Sequence, residues 1–280
     1  MKKLKINNIR FWRRTVQTSI AVFFALIPLL NANGFKFVWG NFLNTHIGCL
    51  TFSDPLAVLQ VMISNRIIPS GLLLGAGLVL GISFFFGIVF CSWMCPFGLL
   101  SELTNTLSRR SKLGKNINIK FLKNAPAVKL IIFCAGFTAV FLFFRSPALN
   151  QVSLPFQYSN IFQYMFMQKY IFGATWFLIM VLSIEFIFCK RLWCRWICPQ
   201  SVLIIIAGRL NPLGLKIIFK QKNCISAKAS PPCQKACSLD LDPRKIVLTN
   251  QLQCNNCGDC IDACRKTGKA IDFGFKKYYK

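Results

Sequence analysis

Four cysteines near the end of the chain have the spacing of iron–sulfur ligands. Cys254, Cys257, Cys260 and Cys264 follow the pattern C-x2-C-x2-C-x3-C, which holds iron–sulfur clusters. Zinc sites more often separate two C-x2-C pairs by a long insert, and a redox C-x-x-C pair needs only two cysteines. The spacing therefore favours iron–sulfur clusters, and electron transfer is the chemistry that such clusters most often perform.

Three further cysteines precede this run in a C-x8-C-x3-C pattern. When ligands cross over between two clusters, Cys237 completes a [4Fe-4S] set with the first three cysteines of the C-terminal run. Seven cysteines cannot supply two sets of four, so a second cluster is [3Fe-4S], or [4Fe-4S] with a ligand other than cysteine, or absent. The cysteines left for that second cluster are Cys224, Cys233 and Cys264.

A second cysteine motif occurs twice, at an offset of 103 residues. The sequence F-C-S-W-M-C-P ends at Pro96, and W-C-R-W-I-C-P ends at Pro199. In each copy the cysteines stand at i and i+4, on one face of a helical turn. Pseudo-symmetry between the two copies could bring the four thiols together, and four converging thiols suit a soft metal, a cluster or dithiol chemistry. The alternative is that these cysteines are only small buried residues beside a proline that ends the helix. The four cysteines are Cys91, Cys95, Cys194 and Cys198.

Composition predicts a membrane protein. Of the 280 residues 54% are hydrophobic and only 15% are charged, and the mean hydropathy is +0.50. Four apolar segments, at about 15–30, 71–91, 127–144 and 171–189, approach the length that a membrane span needs. We therefore predict a mainly α membrane protein, with four transmembrane helices in two tandem hairpins (1–212). A small C-terminal ferredoxin-like (α+β) iron–sulfur domain (213–280) is predicted to follow.

The basic residues predict an orientation for the chain. Residues 1–14, 92–126 and 191–280 carry 28 of the 34 Lys and Arg. By the positive-inside rule, the N-terminus and the iron–sulfur domain lie on the cytoplasmic side of a bacterial inner membrane that the chain crosses several times. Because the net charge of +26 lies on loops beside apolar segments, it indicates contact with membrane lipid and not with nucleic acid.

Haem is not expected. His46 is the only histidine, and the sequence has no C-x-x-C-H motif, so neither paired histidine ligation nor covalent attachment of haem is available in one chain. The electron carriers predicted from this sequence are therefore iron–sulfur or other thiol-based centres and not haem.

The chain resembles the membrane-bound ferredoxin-type quinol dehydrogenase subunit of periplasmic nitrate reductase systems. The resemblance implies two four-iron clusters, a quinol as electron donor, and a partner ferredoxin-type subunit and multihaem cytochromes as acceptors. The chain departs from the family in its first tail motif, where the family has C-x2-C-x2-C-x3-C-P. Besides both C-x3-C-P motifs and the tail, the resemblance is carried by Arg13-Arg14, Asp54-Pro55-Leu56 and Leu59-Gln60.

The predicted function is that of a membrane subunit passing electrons from quinol through iron–sulfur centres towards periplasmic nitrate reduction. It would be the membrane component of a quinol dehydrogenase complex, although the sequence contains no complete active site. Two alternatives are a copper-reducing assembly factor for a respiratory oxidase and a structural anchor that recruits redox subunits. Glu185, the only carboxylate in a predicted span, is either a quinol proton acceptor or an ion-pair partner of Lys190 or Arg191.

Overall fold

The computed structural model describes most of the chain. The basic segments 1–8 and 112–124, which contribute to the predicted orientation, lie outside the described residues. The residues described are 9–34, 37–65, 70–111, 125–139, 142, 148–167, 172–211, 214–225, 231–239, 241–244, 253–265 and 267–275.

Helices make up most of the described chain, as the sequence predicts. A π-helical turn, Trp193–Ile197, carries the second C-x3-C-P motif, and short 3-10 turns cover Ala148–Asn150 and Gln221–Asn223. The α-helices are α1 (Ile9–Ala32), α2 (Pro55–Asn65), α3 (Ser70–Phe86), α4 (Val89–Trp93), α5 (Pro96–Ser111), α6 (Ala125–Ala139), α7 (Leu154–Met167), α8 (Phe172–Phe188), α9 (Gln200–Leu210), α10 (Pro232–Lys235) and α11 (Asp259–Arg265).

The prediction of four transmembrane helices is wrong. Among the described residues only α1 is long and apolar enough to cross a membrane. Helices α3 and α8 have 17 residues each, which gives about 26 Å against the roughly 30 Å of a hydrocarbon core. Each is followed by a left-handed residue, Gly87 with φ +69° and Cys189 with φ +51°. Helix α3 therefore stops at Phe86, five residues before the predicted end at residue 91, whereas α8 ends within one residue of its predicted end at 189.

Two small antiparallel sheets accompany the helices. Strands β1 (Val38–Asn41), β2 (Asn44–Ile47) and β3 (Leu50–Ser53) form a meander that packs through β3 against α3. Near the C-terminus, β4 (Leu215–Phe219) pairs with β5 (Ile271–Phe275), so that Leu215 lies opposite Phe275. This second pair brackets the cysteine-rich tail, because one strand precedes the tail cysteines in the chain and the other follows them.

The tail and the N-terminus of α1 share one apolar core. Ile217 of β4, Ile271 of β5 and Ile261 of α11 are buried in it together with Ile9 of α1. The approach is close: a Cβ on Gly258, whose φ is +81°, would lie 2.6 Å from Cγ2 of Ile9. The iron–sulfur tail therefore docks directly on the first helix.

A second core joins the two halves of the helical region. It contains Phe97 of α5, Leu154 of α7, Leu178 of α8 and Trp193. Helix α5 follows the first C-x3-C-P motif, whereas Trp193 belongs to the second. Packing in this core therefore brings the two copies of the motif to one place.

Candidate metal centres

The structure brings Cys237 together with the first three cysteines of the C-terminal run. Cys254 and Cys257 lie on the loop before α11, Cys260 lies in its first turn, and all three are buried. Burial, with a smaller contribution from the nearby charge of Cys237, raises the pKa of Cys254 to about 12. Burial also holds the pKa values of Cys257 and Cys260 well above the usual range, with a smaller contribution from Cys237. These four thiols are therefore close enough to interact electrostatically, and their assignment to one cluster stays a prediction.

The remaining tail cysteines belong to the same core or pack against it. Cys233 in α10 and Cys264 in α11 are buried, and Cys224 packs against that core. Burial raises the pKa of Cys233, and the charge of Cys264 adds to the rise. The structure thus brings Cys233 and Cys264 into electrostatic contact, although it does not identify a fourth ligand.

The four cysteines of the C-x3-C-P motifs line a single cavity of about 300 Å³. Cys95 lies directly before α5, which begins at Pro96, where proline suits the first turn of a helix. Burial raises the pKa of Cys91 to about 12 and that of Cys194 to about 11. Pseudo-symmetry therefore places all four thiols around one space, and their protons stay on unless a cation compensates the thiolate charge.

The wall of this cavity is cationic on one side and apolar on another. Lys129 and Arg191 lower the pKa of Cys194 against the larger effect of burial, and Nζ of Lys129 donates to the carbonyl of Cys194 at 2.9 Å. Ile88 and Ile205 contribute to the apolar side. The space can therefore hold a negatively charged group at the thiols, beside a surface that favours an apolar molecule.

The C-x3-C-P motifs contact the tail loops that carry the other cysteines. Oγ of Ser92, within the first motif, donates to the carbonyl of Asn255 at 2.5 Å. Arg195, within the second, donates from Nε to Oε1 of Gln253 at 3.0 Å and from Nη1 to the carbonyl of Leu239 at 3.0 Å. These acceptors lie within two residues of Cys254 or Cys237. The segments that carry the two sets of thiols are therefore in direct contact.

A buried ion-pair network fixes the tail to the helices. The side chain of Arg13 is fully buried and donates to both carboxylate oxygens of Glu102, at 2.5 and 2.8 Å, and to Asp259 at 3.2 Å. Asp259 stands between the ligand candidates of the C-terminal run, so the network reaches the predicted four-iron site. Sequence reasoning assigned these residues no role, although two arginines at the start of an apolar helix, and acids near predicted ligands, were available signals.

Glu185 lies beneath the second C-x3-C-P motif. Its side chain is buried, with Oε1 accepting the backbone N–H of Trp193 at 3.0 Å and Oε2 accepting Oγ–H of Ser101 at 2.5 Å. It does not belong to the residues that line the cavity. Arg191 attracts Glu185 electrostatically without lying at salt-bridge distance among the described residues, so the ion-pair and the proton-acceptor alternatives both stay predictions.

The donor sets fit iron–sulfur clusters by their chemistry. All consist of buried or half-buried thiols, which are ligands for soft metals and iron–sulfur centres. Cys95 and Cys237 also accept backbone N–H groups at sulfur, from Gly98 and Leu241, each at 3.4 Å, an interaction that tunes such centres. Within the described ranges, no three His, Cys, Asp or Glu residues are arranged to hold a single metal ion.

A family model described as a 4Fe-4S binding domain matches the chain twice, at residues 68–115 and 171–216. The two matches begin 103 residues apart, which is the offset of the internal repeat, and each contains one C-x3-C-P motif. The predicted placement of the iron–sulfur domain in a small C-terminal part of the chain is therefore wrong, because the matching sequence lies in both helical repeats.

Several ferredoxin-type proteins are similar to most of the chain. NapH of Haemophilus influenzae is 23% identical over 265 residues, covering 92% of this chain and 87% of its own length. NapH of Escherichia coli is 26% identical over 268 residues, covering 91% and 88%. YccM of Escherichia coli, provisionally named an electron transport protein, is 28% identical over 192 residues, which is 67% of this chain but 51% of YccM. No solved structure matches the chain.

Proposed function

We propose that this chain, a NapH-like ferredoxin-type protein, is the membrane-associated subunit of an electron-transfer complex that takes electrons from quinol. It is an iron–sulfur electron-transfer protein. The finer route that we propose runs from the quinol pool through its cysteine-held centres to a partner ferredoxin-type subunit or a multihaem cytochrome. Its resemblance to subunits of periplasmic nitrate reductase systems makes nitrate reduction the proposed destination.

The proposal rests on the direct contact between the C-x3-C-P motifs and the loops that carry the tail cysteines. Ser92 and Arg195, from the two C-x3-C-P motifs, contact Asn255 and Gln253 beside the tail ligands. A tail cluster that served only to stabilise the fold would not need a second group of thiols close to it. The adjacency instead supports a chain of electron carriers.

We assign the ligands from the groups of thiols described above. When bound, an iron–sulfur cluster supplies reversible one-electron chemistry at a potential set by charge, hydrogen bonding and exposure. The quartet of the C-x3-C-P motifs is proposed to hold one cluster. In the tail, Cys237, Cys254, Cys257 and Cys260 would hold a [4Fe-4S] cluster, and Cys224, Cys233 and Cys264 a second cluster of the [3Fe-4S] or [4Fe-4S] type.

Membrane association is supported by the outer surface of the helices. Helix α1 has 24 residues and is apolar beyond its basic first turns, and large apolar side chains are exposed elsewhere, including Leu74 on α3, Ile131 on α6 and Trp176 on α8. Exposed apolar surface of this extent marks contact with lipid or a partner. The apolar side of the thiol-lined cavity, formed in part by Ile88 and Ile205, supports an apolar electron donor such as a quinol.

The proposal is tested by purifying the protein without air and measuring iron content and EPR spectra before and after adding a menaquinol analogue. We expect reducible iron–sulfur signals that respond to the quinol. The control is the same preparation with the oxidised quinone, which should leave the signals unchanged. Iron–sulfur signals indifferent to quinol would support a recruiting anchor, and bound copper with little iron would support the copper-reducing assembly factor; either result contradicts the proposal.

A further inference from the structure

Arg191 is a buried cation at the junction of the two repeats and the tail. Its residue is 2% exposed. Nε donates to Oγ of Ser101 at 3.1 Å, Nη2 donates to the carbonyl of Gly98 at 3.2 Å, and Nη1 donates to Oγ of Ser238 at 3.3 Å. Nη2 also lies 3.6 Å from Sγ of Cys194. One guanidinium therefore fixes three segments that are distant in sequence.

These contacts place the cation beside both sets of thiols. Gly98 and Ser101 follow the first C-x3-C-P motif, and Cys194 belongs to the second. Ser238 is the residue directly after Cys237, which is assigned to the four-iron set of the tail. Arg191 therefore touches a cavity thiol and a neighbour of Cys237 at once.

The acids that attract Arg191 are already engaged by other groups. Glu185 accepts hydrogen bonds from Ser101 and Trp193, and Glu102 is paired with Arg13 and Arg14. Within the described residues, Arg191 takes part in no ion pair at salt-bridge distance. A buried cation without a close anion is costly. Since an iron–sulfur cluster with its thiolates is net negative, the arrangement suits a site that carries negative charge when loaded.

The internal repeat makes this arrangement one-sided. At the offset of 103 residues, Arg191 corresponds to Ile88, and Glu185 corresponds to Ile82. On α5, Ser101, which accepts from Arg191, corresponds to Ile204 of α9. The polar residues thus lie together on one side of the pseudo-symmetric site, and isoleucines replace them on the other, so the cation is not a by-product of duplication.

We propose that Arg191 is a positioning residue whose charge raises the reduction potentials of the C-x3-C-P centre and the Cys237 centre together while its hydrogen bonds fix their relative placement. This inference rests on the proposed function, because both centres must be present. A fixed positive charge stabilises the more negative, reduced form of a nearby centre, and charge is one determinant of such potentials.

The test is an EPR-monitored redox titration of the full-length protein in detergent, comparing wild type with Arg191→Gln, Arg191→Lys and Glu185→Gln. We expect both midpoint potentials to become more negative in Arg191→Gln and to stay nearer the wild-type values in Arg191→Lys. Glu185→Gln removes a neighbouring negative charge, so both potentials should become more positive. A merely structural role for the junction would not produce opposite shifts in the two neutralising variants.

Arg109→Gln is the matched control, because Arg109 is an exposed arginine that also contacts the tail, at the carbonyl of Lys235. Its potentials should equal those of wild type. Signals are assigned to the two centres with Cys91→Ser and Cys237→Ser. If wild type shows both signals and Arg191→Gln shifts only one of them or neither, this inference is overturned while the proposed function stands. If Arg191→Gln fails to fold, an absent or negative shift in Glu185→Gln overturns it. Wild-type protein without a C-x3-C-P signal overturns the proposed assignment and this inference together.

Discussion

Individual thiols in this protein acquire their chemistry from burial and from the neighbours that surround them. Burial raises the pKa of Cys254 to about 12 and that of Cys91 to about 12, so both are neutral at physiological pH without a bound metal. A metal that replaces the proton compensates the thiolate charge, which couples loading to folding. The cysteines that matter are therefore those held in groups, whereas Cys134 is exposed.

At this scale we predict that Cys237→Ser and Cys233→Ser have different effects. Cys237 lies close enough to Cys254, Cys257 and Cys260 to interact with them electrostatically. Its loss should therefore remove the EPR signal of the [4Fe-4S] cluster proposed at these four cysteines and lower the iron content by about one cluster. Cys233→Ser should spare that signal and affect only the second tail cluster. Iron analysis and EPR of anaerobic protein check this, with Cys134→Ser as the control. Loss of the four-iron signal in Cys233→Ser alone would contradict the assignment.

Among the structural elements, α1 has a role beyond its apolar length. Its first turns carry three arginines, of which Arg13 is buried and joins Glu102 of α5 to Asp259 of α11. Arg10 adds a further contact, with Nε 3.0 Å from Asp259. The apolar part of the helix is available to a membrane, while its N-terminal part orients the helix that carries Cys260 and Cys264.

We predict that Arg13→Met destabilises the protein strongly. It leaves Glu102 and Asp259 buried without their shared cation, and breaking a buried ion pair from one side costs about 3–5 kcal/mol. Chemical unfolding in detergent measures the loss, and Arg265→Gln is the control, because its pair with Asp262 is partly exposed and should contribute about 0–1 kcal/mol. Equal effects of the two substitutions would show that the network does not fasten the tail.

At the scale of the whole molecule, the tail is attached to the helical region on several sides. Ser92 and Arg195 bind its loops, Arg13 binds the start of α11, and Nδ2 of Asn256 donates to the carbonyls of Leu215 and Phe86. The boundary after residue 212 remains a prediction, but the tail loops depend on groups from before it.

We therefore predict that residues 213–280 expressed alone retain less iron than the same segment within the full chain. Without the preceding residues, the loop around Asn255 loses its partner Ser92, and Asp259 loses Arg13. Iron content after desalting under anaerobic conditions measures retention. The full chain with Ser92→Ala, which removes one contact only, is the comparison and should lose less. Full retention by the isolated tail would mean that it is an independent iron–sulfur domain.

The sequence by itself determined the chemistry, because ligand type and spacing along a chain are local properties. The spacing of Cys254, Cys257 and Cys260, and the 103-residue repeat of C-x3-C-P, are readable without a fold. Apolar stretches also predicted helices, and the predicted ends of α8 lie within one residue of the observed ones, but the end of α3 was missed because it depends on the left-handed conformation of Gly87. Four spans were predicted where one described helix is long and apolar enough.

Only the tertiary structure decided which of these groups meet. Arg191, Ser238 and Gly98 are far apart in the sequence, and their contact requires the two repeats and the tail to pack around one point. The same is true of Arg13, Glu102 and Asp259. Long-range pairing of buried charges leaves no periodic signal along the chain, because each partner is a single residue on a different element. The positions of the thiols could thus be predicted, whereas the charges that tune them could not.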